Sequence, residues 1–105
     1  MLESFDYLRA AHREWSCATF GDGGPVGSAR HLAEEAAEVA DNPGDLSEYA
    51  DCVMLLWDMI WRANISDADL KAAVAAKLER NKARTWGRRV PGKPCHHVAE
   101  GESNV

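Results

Sequence analysis

Cysteine is scarce in this chain of 105 residues: there are three, an odd number, at Cys17, Cys52 and Cys95. So few, so widely spaced, form neither a disulfide framework nor a zinc knuckle, and a reducing, cytoplasmic setting is expected. Long hydrophobic runs are missing as well. The longest extends only from Cys52 to Trp57, far short of the ~20 residues of a membrane span. The opening MLESFDYLRA lacks a basic-then-apolar pattern, so export is not expected. No stretch alternates apolar and polar residues long enough to make a half-buried strand. Gly21-Asp22-Gly23-Gly24 is not followed by the Gly-Lys-Ser/Thr of a P-loop and reads as a flexible connection. No Ser-His-Asp or Cys-His arrangement can be placed, so a covalent nucleophile is not expected.

Positive charge is also short: 12 Lys and Arg face 17 Asp and Glu, a net of −5. It is unevenly spread, because residues 1–70 hold 14 acids against 4 bases and residues 71–105 hold 3 against 8. Such a split fits an acidic surface beside a basic tail. It equally fits a site where carboxylates hold cations while bases meet an anionic ligand.

The remainder is ordinary for a globular protein, at 46% hydrophobic and 28% charged residues, and the length suits one domain. Punctuation marks four helices. Ser4 caps a first helix with Phe5, Leu8, His12 and Trp15 at helical spacing, stopped by the glycines from Gly21. Ser28 is the expected cap of a second helix, about Ala29 to Ala40, which ends at Asp41-Asn42-Pro43-Gly44. Asp45 with Glu48 makes a capping-box pattern for a third helix reaching Ala63, and Ser66 caps a fourth that reads through to Trp86. The fold class is therefore all-α, a small antiparallel bundle over residues 1–86, with an irregular tail over 87–105. The third helix is apolar on most of its circumference, from Tyr49 to Trp61. A chain this short can hardly cover it, so partner subunits are expected.

The second helix places Leu32, Ala36 and Val39 on one side and His31, Glu34, Glu35 and Glu38 on the other. Alone, that acidic arc is a solvated face. The third helix adds Glu48, Asp51, Asp58 and Arg62 in one stripe. Asp58 and Arg62 can pair at i, i+4, and Glu48 can be a capping acid, but Asp51 has no base three or four residues away. Glu35 with Glu38, and Glu48 with Asp51, are spaced i, i+3, and antiparallel packing would turn the two pairs together. Carboxylates within ~5 Å repel by roughly 3 kcal/mol per pair at an effective dielectric of 20. Cations would have to compensate, and an all-oxygen site suits Mg²⁺ or Mn²⁺. His31 sits outside any Glu-x-x-His pattern and reads as a neighbour of the ligands or a surface residue.

On the fourth helix Lys77, Asn81 and Arg84 continue the face of Leu70 and Val74. They are either snorkelling stems or three donors for phosphate oxygens.

These runs resemble a known family. His31-Leu-Ala-Glu-Glu-Ala-Ala-Glu38 followed by Glu48-Tyr-Ala-Asp51 resembles the EExxE…ExxD signature of MazG-like nucleotide pyrophosphohydrolases. Lys77-x-x-x-Asn81-x-x-Arg84-x-Trp86 is similar to the run closing that fold's last core helix. Trp15-Ser-x-x-Thr-Phe-Gly21 and His97-Val98 resemble its short phage-associated branch, the dATP/dGTP or MazZ-like enzymes. The nine residues between Glu38 and Glu48 are fewer than the family's common spacing and demand a tight turn. The resemblance implies cleavage of a purine deoxynucleoside triphosphate, dGTP or dATP, to monophosphate and pyrophosphate. It implies Glu35, Glu38, Glu48 and Asp51 as ligands of two or more Mg²⁺ or Mn²⁺ ions. Glu34 would touch a further ion or deprotonate water, and Lys77, Asn81 and Arg84 would hold phosphates. Trp15, Phe20 and His31 would line the base pocket. A homo-oligomer, a tetramer built from dimers, is implied too, acting in the host cytoplasm, with neither membrane nor nucleic acid as partner. The rival readings are a helical interaction module without chemistry and, against the acidic balance, a single-stranded nucleic-acid binder.

Overall fold

The structure, a computed structural model, describes residues 2–98. It is all-α: α1 (Phe5–Phe20), α2 (Val26–Asp41), α3 (Leu46–Arg62) and α4 (Asp67–Ala83). The chain divides into two compact units, Met1–Ser66 and Asp67–Val105.

In the first unit α1 and α2 both pack against α3. Ser4 caps α1, its hydroxyl accepting the Tyr7 N–H at 3.0 Å. Gly21 ends the helix at φ 84°, a left-handed value that a side chain would strain. α2 starts earlier than the sequence suggests. Pro25, whose ring fixes φ, takes the cap position, and Ser28 lies inside the helix. Ser28 does not cap because its hydroxyl is drawn to Asp58 on α3, 2.5 Å away. The turn that the short Glu38–Glu48 spacing demands is supplied by residues 42–45, with the Asp45 N–H donating to Asn42 O at 3.1 Å. So short a connection makes α2 and α3 antiparallel.

Asp45 caps α3 by accepting from the Ser47 N–H at 3.0 Å. The other half of the expected capping box is not made, because Glu48 turns towards the acids of α2. α3 closes in a Schellman arrangement: Ile65 N–H reaches Ile60 O, Asn64 N–H reaches Trp61 O, and Asn64 holds φ 58°. Edge-to-face contact of Phe5 with Trp57, ring centroids 6.3 Å apart, seats α1 on α3. Among the described residues no hydrophobic side chain is fully buried. The stripe Tyr49, Val53 and Leu56, at i, i+4 and i+7 on α3, is exposed.

In the second unit, α4 carries Asp67 and Asp69 in its first turn and Arg80 and Lys82 in its last, signs that suit the helix dipole. It ends at Ala83, not at the expected Trp86. Beyond it the chain enters a folded-back segment: Val98 N–H donates to Thr85 O at 2.7 Å and Gly87 N–H to His96 O at 2.9 Å. Trp86 and His97 form an antiparallel bridge and stack edge to face at 5.9 Å. A Cβ at Gly87 would come within 3.3 Å of His96 O, so only glycine fits there without a shift. The tail is thus paired to Val98, and residues 99–105 lie outside the described residues.

Candidate active site

The acidic faces of α2 and α3 meet. Glu35, Glu38 and Glu48 bring one carboxylate oxygen each within 4.8 Å of one another. Crowding like charges disfavours their ionised forms. Glu48 is pushed up to about 7, first by the hydrogen bond it shares with Glu38, then by loss of water and by Glu35. Glu35 is raised as well, chiefly through its hydrogen bond with Glu38 and then by desolvation. Glu35 Oε2 and Glu48 Oε2 are buried and unpartnered. Oxygens that repel one another and lack donors fit a hard divalent cation.

Asp51 is half-buried one turn beyond Glu48 and acts on Glu35 by its charge. The Cys52 thiol is pushed up first by desolvation, and then by Glu35, Glu48, Asp51 and Glu38 together. Of the four expected ligands, Glu35, Glu38 and Glu48 are thus brought together, while Asp51 lies outside that group of three and reaches it only through its charge. Glu34 stands exposed on α2 beside Glu35. His31 Nε2 lies 3.2 Å from Glu35 Oε1, where it orients that carboxylate.

A cavity of about 230 Å³ opens against these acids, lined by His12, Trp15, Phe20, His31, Glu35 and Asp51. Trp15 and Phe20 meet edge to face at 5.5 Å, and His12 lies 5.8 Å from Trp15. Sequence reasoning counted His12 only in the apolar stripe of α1, yet its Nδ1 is buried without a partner. A second cavity, about 380 Å³, shares Phe20, His31 and Asp58 and extends to Gly23, Ser28 and Arg62.

Asp58 and Arg62 pair at i, i+4 as the sequence suggests, 2.7 Å apart; what the sequence does not show is that the pair is buried, its side chains 8% and 5% exposed. Burial raises the Asp58 carboxyl, and hydrogen bonds from Ser16, Ser28, Arg62 and Trp61 outweigh that and hold it at about 2. The signal was an acid on an otherwise apolar helix; Arg62 four residues on supplied an ordinary explanation for it.

On the second unit, Lys77 is exposed, while Asn81 and Arg84 are half-buried. Asn81 Oδ1 is buried without a partner, and Asn81 O accepts from Trp86 Nε1 at 2.8 Å.

This helical architecture matches a solved structure, the cyanophage S-2L MazG-like pyrophosphohydrolase bound to dGDP and three catalytic Mn²⁺ ions per active site. The TM-score is 0.69 at 27% sequence identity, over 94% of this chain and 97% of that one. The fold is thus MazG-like. The chain belongs to the dATP/dGTP pyrophosphohydrolase family, whose model matches residues 8–104. It is 33% identical to the dATP/dGTP diphosphohydrolase of cyanophage S-2L over 91 residues, 85% of this chain and 84% of that protein. It is 46% identical to the Eaa protein of Salmonella phage P22 over 98 residues, 93% of this chain. The match spans only 31% of the Eaa protein's length.

Proposed function

We propose that the protein hydrolyses a purine deoxynucleoside triphosphate, dATP or dGTP, between the α- and β-phosphates, giving the monophosphate and pyrophosphate. The observation that carries this reading is the meeting of Glu35, Glu38 and Glu48, of which Glu35 also lines an aromatic-walled cavity. The family match and the substrates named for the S-2L relative support it.

Glu35, Glu38, Glu48 and Asp51 would hold two or more Mg²⁺ or Mn²⁺ ions. Divalent ions supply a water of lowered pKa and neutralise charge developing on the phosphates. Glu34, exposed beside Glu35, takes the proton of the attacking water or holds a further ion. His31 keeps Glu35 turned to the cluster. Trp15 and Phe20 stack on the base, and His12 and His31 border it. Lys77, Asn81 and Arg84 bind the triphosphate, Lys77 as a point charge and Arg84 as a fork. The reaction would take place in the host cytoplasm, where such nucleotides are found. The exposed stripe on α3 supports assembly into dimers and a dimer-based tetramer.

The test is a panel of eight ribo- and deoxynucleoside triphosphates with Mg²⁺ or Mn²⁺, assayed for monophosphate and pyrophosphate. Equal amounts of the two products from dATP or dGTP are expected. Release of orthophosphate instead, or no turnover of any purine substrate, would overturn the reading.

A further inference from the structure

Asp58 is the buried acid of α3 that is not one of the three carboxylates gathered at Glu35, Glu38 and Glu48. Its Oδ1 accepts from Ser16 Oγ at 2.5 Å and Trp61 Nε1 at 2.9 Å. Its Oδ2 accepts from Ser28 Oγ at 2.5 Å and Arg62 Nε at 2.7 Å. With a carboxylate's four lone-pair positions filled, no acceptor is left for a ligand. Asp58 borders both cavities yet has nothing to offer a base.

Arg62 carries the arrangement outward. Its Nη1 donates to Gly21 O at 2.9 Å and Gly23 O at 3.0 Å, and its Nη2 donates to Ser16 Oγ at 3.0 Å. A Cβ at Gly21, Gly23 or Gly24 would meet nothing within 4 Å, so packing does not shape the α1–α2 connection at these glycines. The guanidinium does. Phe20, the last residue of α1, precedes that connection and walls the cavity against Trp15. Ser28, in the first turn of α2, is tied to the same carboxylate.

We propose that Asp58 and Arg62 form a positioning pair for the base end of the nucleotide. They fix Phe20 and the start of α2 in the shape a purine needs before it arrives, without touching substrate. This rests on the proposed hydrolysis of a purine triphosphate. Ordering the pocket beforehand removes a cost of binding, so the pair acts on base affinity and leaves the chemistry of the phosphates to the acids.

The experiment compares wild type with Arg62→Lys and Asp58→Asn. Lysine keeps the positive charge but cannot fork to two carbonyls. Four quantities are read with saturating Mn²⁺: kcat and KM for dATP and dGTP, the inhibition constant of inorganic triphosphate, which has no base, and the melting temperature. The expectation is that KM rises about tenfold while kcat and the triphosphate inhibition constant change less than about twofold. If KM and the inhibition constant rise together, or if kcat and melting temperature fall with KM unchanged, the pair is merely structural and the proposal is wrong. Should Asp58→Asn not fold, Arg62→Lys decides alone, since the Asp58 carboxylate and its serine donors remain. A wild type without turnover overturns the functional reading, and the positioning role with it; an active wild type with unsplit variants overturns the positioning role only.

Discussion

Glu48 stands where two demands compete. It lies three residues after Asp45, where it could complete a capping box, yet its carboxyl joins Glu35 and Glu38 and its pKa is pushed up to about 7. That choice leaves Asp45 as a one-sided cap and places a proton-sharing group among anions, which is unfavourable until a cation arrives. Glu48→Gln should therefore raise the melting temperature of the metal-free protein, because it removes one repelling charge. Wild type should gain roughly 10 °C with Mn²⁺ at a hundred times its dissociation constant, and Glu48→Gln should lose most of that gain together with turnover. Differential scanning fluorimetry with and without Mn²⁺ checks this. A variant that keeps the full shift would remove Glu48 from the site.

At the scale of elements, the helices were legible because their ends are written in local chemistry. Ser4, Gly21, Asp45 and Asn64 all sit where capping rules put them. The meeting of Glu35, Glu38 and Glu48 was legible because antiparallel packing turns acids spaced i, i+3 on neighbouring helices towards each other. What was not legible required contacts between residues distant in sequence. Ser28 reads locally as a cap, and only its hydrogen bond to an acid 30 positions away shows why it is not. Likewise Thr85 and Trp86 continue α4 by pattern, but pairing with His97 and Val98 takes them out of it. The Asp58 network ties α1, α2 and α3 together through one carboxylate, and this sets a pH dependence. The Asp58 carboxyl is lowered from 3.8 to about 2, burial being outweighed by its donors. As pH falls, the unfolded chain takes up this proton first, so the contribution is complete above about pH 4 and is lost on descent through about pH 2. Its size is about 2 kcal/mol. Urea unfolding of wild type and Asp58→Asn between pH 5 and pH 2 should show their stability difference shrinking by that amount. A difference that is constant with pH would mean the carboxylate is not held ionised by its donors.

At the scale of the whole molecule, the apolar surface is in excess of what the chain covers. Tyr49, Val53 and Leu56 are 43%, 40% and 42% exposed along one face of α3, and α1 and α2 leave that face open. No described hydrophobic side chain is fully buried, so the ordinary source of folding energy is incomplete within these helices. A stripe at i, i+4, i+7 is the pattern that packs helix against helix, and a second copy of α3 offers the same stripe to the first across a two-fold axis. The acids lie on this helix too, so assembly that fixes α3 also fixes Glu48 and Asp51. If copies assemble through this stripe as proposed, Leu56→Glu, which puts a charge in it and leaves every proposed ligand in place, should give a smaller species than wild type in sedimentation velocity. Because α3 would lose cover, the melting temperature should fall by at least about 5 °C, as loss of about 1 kcal/mol does in a domain of this size. The Mn²⁺-induced gain should shrink in parallel, since metal affinity then carries the cost of ordering α3. If Leu56→Glu sediments like wild type and melts at the same temperature, the stripe is not an interface between copies, and the cover for α3 comes from elsewhere.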